Sequence, residues 1–140
     1  MKSKWLFYVE DDSVLAPATA DLLLHFCKSH DMGFKLLMSV HDVQSALAQL
    51  PPSSVRFAIV DLWMNDQEKN TSDRAAGIKV FQMIRSHSIN SYIVLLSGHI
   101  DAAVEEKFKN ERNVAIAHKP TPDEELREFL EEKIKEIIIE

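Results

Sequence analysis

The residues best suited to chemistry are polar groups that close apolar runs. Trp5-Leu6-Phe7-Tyr8-Val9 ends on Glu10-Asp11-Asp12, and Phe57-Ala58-Ile59-Val60 ends on Asp61. Tyr92 to Leu96 ends on Ser97-Gly98, and Val114 to Ala117 runs through His118 to Lys119-Pro120. Acids, a hydroxyl and an amine gathered in one pocket suit a divalent cation and a phosphoryl group. Glu10, Asp11 and Asp61 supply three negative charges and Lys119 one positive charge, so a divalent cation brings the set to neutrality. Mg²⁺ matches because it is hard, prefers oxygen ligands and keeps several waters. Mn²⁺ suits the same donors. A carboxylate is already ionised at neutral pH, so it can act as a nucleophile without a general base.

The elements that must position these groups are legible as well. A short, continuous apolar run is the mark of a strand buried on both faces, as in a parallel sheet. Ligands of such sheets sit at the carboxyl ends of the strands. We expect strand one over 4–10 and a helix over 13–30, with Pro17 making its first turn irregular. Gly33 turns the chain into strand two, 34–40, and a short helix follows over 42–50, capped by Asp42 and stopped by Pro51-Pro52. Strand three is the run ending at Asp61. A polar loop over 65–76 leads to a helix over 74–87, with Ile78, Phe81 and Ile84 facing inward. Strand four (91–97), a helix over 101–110 and strand five (114–118) come next. The last helix, from Asp123, carries Leu126, Phe129, Leu130, Ile134, Ile137 and Ile138 at helical spacing.

Strands alternating with helices specify an α/β protein with a parallel sheet. Five strands and five helices match the flavodoxin-like, doubly wound order 2-1-3-4-5. That order makes strands one and three neighbours and brings Glu10, Asp11 and Asp61 together.

Composition sets bounds. One domain is expected for 140 residues, with 46% apolar and 27% charged residues, as in ordinary globular chains. Cys27 is the single cysteine, so no intrachain disulfide can form, which fits a reducing cytoplasm. The opening MKSKWLFYVEDD has too short an apolar run for a signal peptide or a membrane span. Net charge is −6, and residues 122–140 hold eight acids against three bases. With no basic patch, direct nucleic-acid binding is not expected. The six histidines, at 25, 30, 41, 87, 99 and 118, have no metal-ligand spacing.

VEDD, VDLWM, LLSG and AHKP, in that order and each at the end of a strand, resemble the receiver domain of two-component response regulators. The resemblance covers essentially the whole chain. It implies a phosphoacceptor role for Asp61 and metal ligation by Glu10 (through water), Asp11, Asp61 and the backbone carbonyl of Trp63. It implies that Ser97, Gly98 and Lys119 receive the phosphoryl group, Ser97 as the switch hydroxyl, and that the Lys119-Pro120 bond is cis. The expected donor is a sensor histidine kinase or a histidine phosphotransfer protein. The expected output surface is helix four, strand five and helix five, used for a downstream effector or for self-dimerisation. On this reading the chain is a signalling domain rather than an enzyme, and it is either a stand-alone regulator or part of a longer protein.

Several positions depart from the family pattern. Ile116 stands where a switch aromatic is common, so a swinging ring is not available as the readout. Asn65 replaces a usual proline. Gly77 follows Asp61 by sixteen positions, a longer span than the family's usual one. Trp63 and His99 border the expected path of the hydrolytic water and are candidates for slowing phosphate loss.

Two rivals stand beside this reading. A receiver-like interaction module that takes no phosphate is compatible with Ile116 and the long loop. A haloacid-dehalogenase-like phosphatase would need Asp-x-Asp after strand one, where this chain has Glu10-Asp11-Asp12. A P-loop nucleotide binder is excluded, since no G-x-x-x-x-G-K-[ST] occurs.

Overall fold

The computed structural model describes residues 3–11, 16–62, 65–66, 71–72, 74–97, 102–118, 128 and 131–132. In chain order the elements are β1 (Trp5–Val9), α1 (Ala16–Ser29), β2 (Gly33–Leu37), α2 (Val40–Ala48) and β3 (Val55–Asp61). Then come β4 (Asn65–Asp66), β5 (Thr71–Ser72), α3 (Arg74–His87), β6 (Tyr92–Ser97), α4 (Ala102–Phe108) and β7 (Val114–His118).

The main sheet has five strands in the order β2-β1-β3-β6-β7, and every pairing is parallel. Counted along this sheet, that is the expected order 2-1-3-4-5. Side chains alternate across a strand, so each central strand feeds two cores. Phe7, Val9, Ala58, Val60, Ile93 and Leu95 lie on one face, with Val43 and Leu47 of α2, Val80 and Ile84 of α3, and Val104 and Phe108 of α4. Leu6, Tyr8, Phe57, Ile59, Val94 and Leu96 lie on the other, with Leu23, Phe26 and Cys27 of α1. Helices on both faces make the sheet doubly wound, and burial on both faces is why its strands read as unbroken apolar runs.

Three features differ from expectation, while the expected start of α1 at residue 13 lies outside the described residues and α1 is described from Ala16. β2 ends at Leu37 rather than at residue 40, because α2 starts at Val40. The cap of α2 is Ser39, not Asp42. Ser39 is extended, and its hydroxyl accepts from the Asp42 amide at 3.0 Å. The Asp42 carboxylate reaches back to accept from the Met38 amide at 3.2 Å. The Ser39 hydroxyl thus satisfies an orphan amide of the first turn, and Asp42 reaches one residue further back than the N-cap amide that a capping box would use.

The polar loop after β3 is the third difference. Asn65–Asp66 and Thr71–Ser72 pair antiparallel as a separate two-stranded sheet. The expected fifth helix, from Asp123, lies outside the described residues except for Glu128, Glu131 and Glu132, which are helical and exposed.

Candidate metal and phosphoryl site

β1 and β3 are hydrogen-bonded neighbours with Val9 in register with Val60. Asp61, the last residue of β3, and Glu10, the first residue past β1, each follow this register pair by one position, so the sheet brings Glu10-Asp11 beside Asp61. The Glu10 amide donates to the Leu37 carbonyl of β2 at 3.0 Å, which carries the sheet's hydrogen bonding one residue past β1. On the other side, the Leu62 amide donates to the Leu96 carbonyl of β6 at 2.8 Å and does the same past β3. The acids are thus borne on backbone that the sheet itself holds.

Glu10 is fully buried, Asp61 is 4% exposed, and Asp11 is half-buried. Ligand atoms of the three carboxylates all lie within 4.8 Å of one another. Like charges this close repel by about 3 kcal/mol per pair at an effective dielectric of about 20. Buried acids are held together against that repulsion when positive charge sits among them. Three hard oxygen donors converging from two strands fit Mg²⁺ or Mn²⁺ and do not suit a soft metal.

Ser97 ends β6 and is fully buried, one residue beyond Leu96, the register partner of Asp61. In turn Ser97 pairs with His118 at the end of β7. The predicted acids and the switch hydroxyl therefore share the carboxyl edge of the sheet. Trp63, Gly98, His99 and Lys119 lie outside the described residues. Ile116 pairs with Leu95 and packs, half-buried, against the core shared with α2, α3 and α4.

One feature of the site's frame was not expected: Gly77 of α3 lies against the Leu62 backbone. The sequence signal was a glycine inside a helical pattern, which often has a packing cause.

No family model matches this chain, and no curated protein matches it. Solved structures do. A CheY-like response regulator receiver domain protein from Methanospirillum hungatei JF-1 is 15% identical and has a TM-score of 0.73, over 95% of this chain and 94% of that one. The signal receiver domain of an HD domain-containing protein from Pseudomonas fluorescens Pf-5 is 17% identical, with a TM-score of 0.73 over 99% and 100%. A BeF3-activated DrrB receiver domain is 16% identical, with a TM-score of 0.69 over 94% and 97%.

The chain has the receiver-domain fold. Within that fold the carboxylate cluster stands at the carboxyl edge of the sheet, the place where open α/β sheets bind ligands. A response regulator from Burkholderia pseudomallei, solved with a phosphorylated aspartic acid and a calcium ion, is 16% identical with a TM-score of 0.65, over 88% of this chain and 64% of that one. Among the described residues of this receiver fold, no helix is long and apolar enough to cross a membrane.

Proposed function

We propose that this chain is a response-regulator receiver domain that accepts a phosphoryl group on Asp61. The observation that carries the reading is the buried cluster of Glu10, Asp11 and Asp61, with Ser97 closing the neighbouring strand. Glu10, Asp11, Asp61 and the Trp63 carbonyl would hold Mg²⁺, with Mn²⁺ as a substitute. The cation supplies charge neutralisation at the phosphoryl oxygens.

An Asp61 carboxylate oxygen forms the new bond to phosphorus, and the phosphorus–nitrogen bond of a phosphohistidine donor breaks. The leaving imidazole takes up a proton. Lys119, Ser97 and the space beside Gly98 receive the phosphoryl oxygens, so the catalysis is positioning and charge stabilisation. The donor is a sensor histidine kinase or a histidine phosphotransfer protein. The surface of α4, β7 and the last helix signals to a downstream effector or to a second copy, in the cytoplasm and without direct nucleic-acid contact. Trp63 and His99 shield the acyl phosphate; equal phosphate lifetimes in Trp63→Ala and wild type would sink that role.

The test is phosphate incorporation from acetyl phosphate with Mg²⁺, read by intact mass on wild type and Asp61→Asn. One phosphoryl group on wild type alone is expected. No incorporation in either, with Mg²⁺ bound, would replace the proposal with a phosphate-independent interaction module. Equal incorporation in both would move the acceptor elsewhere.

A further inference from the structure

We propose that Gly77 is a positioning residue for the carboxylate cluster, an inference that rests on the metal reading above. A Cβ placed on Gly77 would meet the Leu62 carbonyl oxygen well inside contact distance, and the Leu62 carbonyl carbon and Cα at 2.7 Å each. All three are main-chain atoms, so no rotamer change relieves the overlap. Nor can the Leu62 backbone back away freely, since its amide is tied to the Leu96 carbonyl at 2.8 Å. Leu62 is fully buried, which closes the remaining directions. The peptide after Asp61 is thus held between β6 and α3, and the absence of a side chain at Gly77 sets how closely α3 approaches.

Two groups of the proposed site flank Leu62 in the chain. Asp61 precedes it, and the Trp63 carbonyl belongs to the next residue. A methyl group at 77 must displace either α3 or Leu62, and moving Leu62 moves the groups attached to it. The contact between Leu62 and Gly77 spans fifteen positions of sequence, with the β4–β5 hairpin between its two ends. The hairpin therefore lengthens the connection without parting α3 from the chain that carries Asp61.

The experiment is Mn²⁺ titration of wild type, Gly77→Ala and Val80→Ala, read by the paramagnetic signal of the free ion. All three are held in one trimethylamine N-oxide buffer, which favours the compact state, and folding is checked by circular dichroism. Val80 is fully buried on the same helix, so Val80→Ala reports loss of packing alone. Gly77→Ala is expected to bind Mn²⁺ roughly 10–100-fold more weakly, the range seen when support behind metal ligands is disturbed, while Val80→Ala keeps wild-type affinity. Wild-type affinity in folded Gly77→Ala overturns the inference, as does equal weakening in Val80→Ala. Failure of wild type to bind Mn²⁺ overturns the metal reading itself, a separate result. Should Gly77→Ala stay unfolded, Mn²⁺ broadening of the wild-type Gly77 amide decides: a broadened signal supports the placement and a sharp one overturns it.

Discussion

The Leu62 amide donates to the Leu96 carbonyl at 2.8 Å, one step beyond the register pair Asp61 and Leu96. Asp61 therefore sits inside the hydrogen-bonded ladder rather than on a loose loop. Its position is governed by the sheet, and that rigidity makes the effects of substitution around it predictable.

Asp61→Asn is expected to raise thermal stability in metal-free buffer. It removes one of three carboxylates whose ligand atoms lie within 4.8 Å, relieving repulsion on the order of 1 kcal/mol once solvent and counter-charge are discounted. Added Mg²⁺ should stabilise wild type, because a ligand bound only by the folded state adds RT ln(1 + [L]/Kd). The same addition should leave Asp61→Asn nearly unmoved. Thermal melts of both proteins with and without Mg²⁺ check this, and a lower metal-free melting point for Asp61→Asn would contradict it.

Cys27 sets an alkaline limit on stability. It is fully buried, and burial pushes its thiol from about 9 up to about 12. The folded pKa lies above the unfolded one, so the folded state holds the proton more tightly. The contribution is complete below about pH 9 and is lost as pH rises towards 12. Stability should fall above pH 9 with a limiting slope of about 1.4 kcal/mol per pH unit. Urea unfolding of wild type and Cys27→Ala between pH 8 and roughly pH 11 tests this; the variant should lack that share of the slope.

Ser39→Ala should cost about 1 kcal/mol by removing the hydroxyl that accepts from the Asp42 amide. Asp42→Ala should cost less, since its bond to the Met38 amide is exposed. Urea midpoints of the two variants give the order directly, and a larger loss for Asp42→Ala would return the capping role to that residue.

Removal of residues 66–72 should leave the fold intact. The hairpin forms its own two-stranded sheet and adds no strand to the main one. Shortening a flexible connection changes closure entropy by only about 0.6 kcal/mol per halving of length. The shortened protein should keep its melting point within a few degrees and keep acetyl phosphate reactivity. Lost incorporation with an unchanged melting point would place the hairpin in the phosphoryl site. Altered choice among phosphohistidine donors would give it a partner role.

Much of the frame is readable because parallel strands are buried on both faces. That burial demands unbroken apolar runs, and Val60 giving way to Asp61 marks both the end of a strand and the edge where ligands bind. The alternation of those runs with helices predicts a doubly wound parallel sheet, and the flavodoxin-like order it matches brings Glu10, Asp11 and Asp61 together. The boundaries are less legible. Ser39 and Asp42 are both good caps, and the choice between them depends on where the chain leaves β2. The β4–β5 hairpin has strands of two residues, too short for any periodic signal.

The sequence by itself determined the strands and their terminal acids and hydroxyl, because each follows from local apolar patterning, and the match to a flavodoxin-like chain supplied the sheet order. Only the tertiary structure decided the cap of α2, the pairing within the long loop and the approach of Gly77 to Leu62. The cap is a local contact, but which residue fills it depends on where the chain leaves β2; the loop pairing and the Gly77 approach join separate segments, which close packing sets and residue order does not encode.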